Sequence, residues 1–150
     1  MGDTFTKLIY HIVFSTKGRV PSITLPIRER LYEYIGGIIR AEGGSLVQIG
    51  GMPDHVHLLA RLKSDMSVAE MVRLVKSNSS RWMHEMPESG RGFGWQTGYG
   101  AFTVSSSQIA SVQRYIRTQE KHHARRSFKD ELIELLQKHE IEFDERYILD

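Results

Sequence analysis

The pattern of hydrophobic and polar residues predicts four strands, of which the first is apolar on both faces and is therefore expected to be buried. Three segments are rich in apolar and β-branched residues and are bounded by turn residues, which is typical of strands. They run from Lys7 to Thr16, from Ser45 to Met52 and from His55 to Leu62, and a fourth strand is predicted from Gly100 to Val104. Met52-Pro53-Asp54 separates the second strand from the third, so these two strands are expected to form a hairpin.

Four further segments have apolar residues at every third or fourth position, which predicts helices. These segments cover residues 31–39, 67–82, 108–122 and 127–139. The second begins with the capping box Ser67-Val68-Ala69-Glu70, and serine N-caps also precede the third and fourth. The order β-α-β-β-α-β, followed by two helices, predicts an α+β fold. We expect a ferredoxin-like (RRM-like) split β-α-β antiparallel sheet with helices on one face, plus C-terminal helices.

Charge is distributed unevenly along the 150 residues, although the net charge is only +2. Residues 1–126 carry 17 Lys+Arg and 10 Asp+Glu, a balance of +7, whereas residues 127–150 carry 3 and 8, a balance of −5. The length suits a single domain, 1–150, with a basic body at about 1–126 and an acidic C-terminal helix and tail at about 127–150. The basic body favours an anionic partner such as nucleic acid, although an ordinary solvated surface would have the same charge pattern.

The absence of cysteine limits the kinds of site that the chain can form. Disulfides and thiolate metal sites are excluded, so any metal must be bound by histidine, carboxylate or amide groups. The N-terminal residues do not resemble a signal peptide, and the longest apolar stretch, Leu8 to Phe14, is too short to span a membrane. We therefore expect a soluble, cytoplasmic protein with no membrane partner.

A His-x-His pair lies at the start of the third predicted strand. Side chains alternate across a strand, so His55 and His57 share one face while Val56 lies on the other. Two imidazoles in this arrangement can bind one metal ion, but histidines with ordinary surface hydrogen bonds fit the spacing equally well. Asp54, beside the pair, is either a turn residue or a partner that orients an imidazole.

Tyr115 and Gln119 are four residues apart on the third predicted helix, which places them on the same side of it. Tyr115 is either a boundary aromatic with its hydroxyl in water or a nucleophile. With an ordinary pKa of about 10, tyrosine attacks at neutral pH only a strongly polarised target, such as a phosphodiester bound to a divalent cation. Basic and histidine side chains around this helix's end are candidate DNA contacts: Arg117, Lys121, His122, Arg125 and Arg126.

Four blocks of sequence, in order, resemble the single-tyrosine HUH transposases of small bacterial insertion sequences, a family that includes the related palindromic-repeat-associated transposases. The blocks are HIVFSTK (11–17), GMPDHVHLL (51–59), WQTGYG (95–100) and YIRTQEKHH (115–123). The similarity extends from about Lys7 to Phe128. It identifies His-hydrophobic-His on a central strand and Tyr-x-x-x-Gln on a later helix as the family's site residues.

The resemblance implies a divalent metal, Mg²⁺ or Mn²⁺, bound by the neutral ligand set His55, His57 and Gln119. It also implies that Tyr115 attacks a phosphodiester of single-stranded DNA, leaving a 5′-phosphotyrosine and a free 3′-hydroxyl. A homodimer that recognises DNA hairpins at the element's ends is implied as well. Tyr115 could then act on the site of its own subunit or on that of its partner.

Two other functions fit parts of the sequence. A non-catalytic single-stranded nucleic-acid-binding protein on an RRM-like sheet would tolerate Tyr115→Phe, whereas a transposase would lose its covalent chemistry. A metal hydrolase would need a general base beside the metal, and the sequence spacing places no aspartate or glutamate there.

Overall fold

One antiparallel sheet of four strands organises the computed structural model, which describes residues 2–89, 92–123 and 126–149. The strands are β1 (Leu8–Ser15), β2 (Ser45–Met52), β3 (His55–Leu62) and β4 (Gly100–Thr103). Their order is β2-β3-β1-β4, and every neighbouring pair is antiparallel. This is the topology of the ferredoxin-like split β-α-β fold, so the predicted fold class is confirmed.

Five α-helices accompany the sheet in the described part of the chain. They are α1 (Leu25–Ala41), α2 (Val68–Glu85), α3 (Ile109–Arg117), α4 (Gln119–His122) and α5 (Phe128–Lys138). The predicted N-caps of α2 and α5 are confirmed, since Ser67 Oγ accepts a hydrogen bond from the Glu70 amide at 3.1 Å and Ser127 Oγ accepts one from the Asp130 amide at 3.2 Å. None of these helices has both the length and the apolar character needed to cross a bilayer.

A break at Thr118 divides the segment that the sequence predicts as one helix over residues 108–122. Thr118 has φ −105° and ψ 29°, and its hydroxyl donates to the Arg114 carbonyl at 2.9 Å. Threonine competes in this way for carbonyls one turn back, and such bonds often accompany a distortion of a helix. The prediction of a continuous helix is therefore wrong, and Gln119 begins a separate turn, α4, in which its side chain is buried.

The two faces of the sheet are covered by different helices. Alternate residues of β1 and β3, such as Ile12, Phe14, Val56 and Leu58, pack in the main core with apolar residues of α1 and α2. The opposite face packs against α3 and α5 through Ile9, Val13, Leu59 and Phe102. Because His55 and His57 alternate with the main-core residues of β3, they lie on the α3–α5 side of the sheet.

α3 approaches β2 closely at Gly50. A Cβ atom at this position would lie 2.5 Å from the Ile116 carbonyl oxygen, which is too short for a side chain of any kind. Gly50 is also the β2 partner of His57 in the sheet register. The contact between these two backbones thus holds Ile116, and with it the adjacent Tyr115, near the histidines of β3.

Candidate active site

The two histidines of β3 direct their Nε2 atoms into a buried space under α4 and α5. Both side chains are fully buried, with 0% relative exposure. His55 Nδ1 lies 2.7 Å from Asp54 Oδ1, so Asp54 is a partner that orients the imidazole, as the sequence suggested. His57 Nδ1 lies 2.8 Å from His11 Nε2 on the neighbouring strand β1. Each imidazole is thus held at Nδ1 and leaves Nε2 for chemistry, an arrangement typical of metal-binding histidines.

Tyr115 and Gln119 reach the histidine pair from α3 and α4. Gln119 Oε1 lies 3.1 Å from His55 Nε2, and the ring of Tyr115 stands edge-on to His57 with 5.8 Å between centroids. Tyr115 is half-buried at the border of the cluster. All four residues that the sequence assigned to catalysis and metal binding therefore converge in one chain, despite the helix break between Tyr115 and Gln119.

The carboxylate of Glu131, on α5, occupies the centre of this cluster and is fully buried. Its Oε1 atom lies 2.9 Å from His57 Nε2, 2.9 Å from His123 Nε2 and 3.4 Å from His55 Nε2. Its Oε2 atom accepts hydrogen bonds from the Tyr115 hydroxyl and, at 3.1 Å, from Gln119 Nε2.

Sequence reasoning missed Glu131: the sequence spacing placed no aspartate or glutamate as a general base beside the metal site, but the structure places this carboxylate against the histidines. Glu131 lies on α5, which the sequence analysis grouped with the acidic C-terminal tail. One signal was present, because Glu131 lies three residues after Phe128 and four before Leu135, on the apolar stripe of its own helix. A charged residue on a buried stripe is rare unless it is paired, and so marks a candidate site.

The contacts of Glu131 set opposite pKa shifts on the carboxyl and on the tyrosine. Burial alone would raise the pKa of Glu131, but hydrogen bonds from the surrounding histidines outweigh burial and hold it far below its usual range. Burial, followed by the hydrogen bond and the charge of Glu131, raises the pKa of Tyr115 well above its usual value. Arg126 opposes that rise, since its Nη2 atom lies 3.2 Å from the Tyr115 hydroxyl.

The histidines differ in their preference for a proton. Burial would lower the pKa of His55, but hydrogen bonds to Asp54, Glu131 and Gln119 raise it to about 9. Burial dominates at His57 and lowers its pKa despite the hydrogen bond to Glu131. Burial and the neighbouring His57 lower the pKa of His11 to about 3, so His11 is a neutral support.

Two of the side chains predicted to contact DNA, His122 and Arg126, lie against Tyr115. His122 packs on the ring of Tyr115 with 4.6 Å between centroids, and Arg126 is ion-paired with Glu134 on α5. Arg117 and Lys121 are exposed on α3 and α4. The structure thus brings His122 and Arg126 to Tyr115, while the predicted contact Arg125 lies outside the described residues.

The donor atoms of the cluster fit a divalent cation. His55 Nε2, His57 Nε2 and a carboxylate oxygen of Glu131 all lie within 4.8 Å of one another. Because His55 Nδ1 carries the hydrogen that bonds Asp54, a neutral His55 directs the lone pair of Nε2 at Gln119 Oε1, which is also an acceptor. Two acceptors face each other favourably only with a proton or a cation between them, and imidazole and carboxylate groups are both ligands of divalent metal ions.

Known proteins are similar to this chain in sequence and in fold. Residues 4–119 match the family described as Transposase IS200 like. ISDra2 transposase TnpA of Deinococcus radiodurans is 28% identical over 118 residues, which cover 75% of this chain and 84% of that protein. A crystal structure of a protein from the same organism, assigned as a transposase, superimposes with a TM-score of 0.61 at 30% identity, covering 79% of this chain and 96% of that chain.

A REP-associated tyrosine transposase bound to a REP hairpin has a TM-score of 0.63 at 13% identity, covering 82% of this chain and 73% of that one. At this identity the likeness is one of fold. The family match contains His55, His57, Tyr115 and Gln119 and spans well over half of the sequence. The chain therefore belongs to the IS200-like transposases, DNA-binding enzymes of mobile elements that act in DNA recombination.

Proposed function

We propose that this transposase cleaves and rejoins single-stranded DNA through a 5′-phosphotyrosine on Tyr115, at a site where His55, His57 and Gln119 hold Mg²⁺ or Mn²⁺. The observation that carries the proposal is that the Tyr115 hydroxyl and His57 Nε2 both contact Glu131, so nucleophile and imidazoles share one small space. A DNA-binding protein without chemistry has no need to bury a carboxylate against a tyrosine and three imidazoles.

The reaction follows from the placement of the tyrosine. A divalent ion bound by these residues supplies polarisation of the phosphodiester and stabilisation of the leaving 3′ oxygen. Tyr115 attacks phosphorus in line, the bond to the 3′ oxygen breaks, and the 5′-phosphate stays on the protein. Glu131 Oε2, which accepts the hydrogen bond of the phenol, takes its proton as the new bond to phosphorus forms, and Arg126 Nη2 stabilises the developing phenolate. The departing 3′ oxygen takes a proton from water and becomes the 3′-hydroxyl. Attack by a 3′-hydroxyl on the phosphotyrosine rejoins DNA without an external energy source.

In this proposal, Tyr115 attacks DNA that is bound at the histidines of its own chain. Tyr115, His57 and Glu131 are joined by direct hydrogen bonds within one protein chain, so no second chain is needed to complete the cluster. The homodimer that the resemblance implies would then contain two complete sites. Light scattering coupled to size-exclusion chromatography tests the dimer independently of the chemistry.

Hairpin-containing single-stranded DNA is the proposed substrate class. The fold likeness to a transposase that is bound to a REP hairpin supports this choice. Arg117 on α3 and Lys121 on α4 are exposed cations on the helices that carry Tyr115 and Gln119, and they provide charge for DNA phosphates.

A covalent adduct tests the proposal directly. Labelled hairpin oligonucleotides copied from the DNA that flanks its own coding sequence are incubated with protein and Mn²⁺, then resolved on a denaturing gel. We expect an adduct with wild type and with Tyr147→Phe, because Tyr147 is 67% exposed and remote in sequence from the site. Tyr115→Phe should bind the same DNA and form no adduct.

Two results would overturn the mechanism. Persistence of the adduct in Tyr115→Phe would assign the nucleophile elsewhere. Tight binding of the flanking DNA by wild type without any adduct would instead support the non-catalytic binding protein.

A further inference from the structure

Glu131 comes from a part of the chain that the family match does not include. The match ends at residue 119, whereas the carboxylate that contacts His57 and Tyr115 follows twelve residues later, on α5. The resemblance assigned a neutral ligand set, two imidazoles and an amide. The buried cluster adds a negative charge to that set, and the charge comes from α5, which lies outside the matched residues.

We propose that Glu131 is a ligand of the divalent ion through Oε1 and at the same time anchors the Tyr115 hydroxyl through Oε2. The inference rests on the proposed metal-dependent function, but it makes a separate claim: the protein binds the ion tightly before DNA arrives.

The charge of the buried Glu131 carboxylate favours a cation beside it. Glu131 is fully buried, and an ionised carboxylate in that position requires positive charge close by. Arg126 contributes a long ion pair, with 3.9 Å between its Nη2 atom and Oε2, and it shares its charge with Glu134, to which it is closer. The atoms nearest to Oε1 are imidazole nitrogens, which carry positive charge only when protonated and otherwise offer lone pairs.

The lone pairs of the neutral imidazoles point toward other acceptors. His123 Nδ1 lies 2.9 Å from the Arg126 carbonyl oxygen, which can only accept, so the ring hydrogen sits on Nδ1 and the lone pair of a neutral ring points from Nε2 to Glu131 Oε1. His55 is held at Nδ1 by Asp54 in the same way. A divalent cation at this point would be within reach of Nε2 of His55, Nε2 of His57 and Oε1 of Glu131 together, since donor atoms of these three residues all lie within 4.8 Å of one another.

The packing of α5 holds Glu131 rigidly in place. The ring of Phe128, one turn before Glu131, is buried and stacks on the His55 imidazole with 4.6 Å between centroids. Leu132 and Leu135 bury the same face of α5 against the sheet, and the Ser127 cap fixes the start of the helix. The packing and the N-cap of α5 therefore hold the carboxylate beside the histidines, as a preorganised ligand requires.

Mn²⁺ binding by the DNA-free protein tests the ligand role. Binding is measured at fixed pH by calorimetry and by the loss of the free-Mn²⁺ paramagnetic resonance signal. Glu131→Gln keeps the size and one oxygen of the side chain but removes the charge, and we expect at least a tenfold loss of affinity, in line with losses of about 10- to 100-fold for partners of metal ligands. Glu134→Gln is the matched control, because Glu134 is on the same helix with 66% of its side chain exposed, and it should bind Mn²⁺ as wild type does.

The outcomes separate the ligand role from the proposed function. Wild-type affinity in Glu131→Gln, with loss of binding in His57→Ala, would show that the carboxylate only balances protonated histidines. Failure of wild type to bind Mn²⁺ without DNA, while still forming the adduct in Mn²⁺, would likewise overturn the ligand role and leave the function intact. If Glu131→Gln does not unfold cooperatively, Glu131→Asp is used, in which the shorter side chain withdraws the oxygen and the same loss is expected.

Discussion

Gly50 fixes the distance between β2 and α3, the helix that carries Tyr115. We therefore expect Gly50→Ala to slow the proposed reaction, although Gly50 itself contacts no substrate. The new Cβ would lie 2.5 Å from the Ile116 carbonyl oxygen and 3.0 Å from Ile116 Cγ2. Ordinary contact begins near 3.5 Å, so α3 must retreat by roughly 1 Å. Tyr115 moves with Ile116, whereas His57, the register partner of Gly50 on β3, stays in the sheet.

A displacement of about 1 Å at the reacting atoms costs on the order of 100-fold in rate, and the crowding costs about 1–3 kcal/mol of stability. We expect the single-turnover rate of adduct formation to fall by about that factor in Gly50→Ala, while the protein still melts cooperatively. Gly37→Ala, on α1, is the control, because the nearest atom to its Cβ would be Arg40 Nη2 at 3.8 Å. A folded Gly50→Ala protein with the wild-type rate would refute the idea that this backbone contact positions the nucleophile.

The subunit arrangement, the metal and the loop at residues 96–98 each allow a direct measurement. Mixing Tyr115→Phe with His57→Ala protein should restore no adduct, because both groups serve one chain; adduct in the mixture would show that the tyrosine acts across subunits. Mn²⁺ at 100 times its Kd should stabilise wild type by about 2.7 kcal/mol, seen as a rise in Tm that EDTA reverses, and an unchanged Tm would contradict a preformed site. Lys76→Met should lower the free energy of unfolding by about 2 kcal/mol in urea titrations, since bonds from a charged donor are worth about 1.5–3 kcal/mol and this side chain is partly exposed. Its Nζ atom donates to the carbonyls of residues 96, 97 and 98 at 2.8, 3.2 and 2.7 Å. Lys63→Met, which removes only a 3.7 Å surface ion pair with Asp65, should be near neutral, and equal losses in the two variants would contradict the loop's dependence on Lys76.

Features that depend on neighbouring residues were predictable from the sequence. β2 and β3 have the predicted bounds, because their apolar patterns and the Pro53-Asp54 turn between them are local signals. The common face of His55 and His57 follows from the geometry of a strand, and the serine caps of α2 and α5 follow from the residues beside them.

Features that depend on distant packing were not predictable. The helix break at Thr118 has neither proline nor glycine to announce it, and helical periodicity continues across it. Glu131 reaches His57 only because α5 docks on the sheet face opposite α1, a contact between residues 74 positions apart. The charge balance of −5 for residues 127–150 also averaged this one buried carboxylate with exposed acidic residues such as Glu134.

The position of Glu131 in the chain gives the site an order of assembly in time. A ribosome adds about 5–20 residues per second from the N-terminus, so the sixteen residues from Tyr115 to Glu131 take roughly one to three seconds. During that interval the nascent protein contains the nucleophile and both β3 histidines but not the carboxylate that joins them. Docking of α5 therefore covers this face of the sheet and brings the carboxylate to His57 and Tyr115 in the same event.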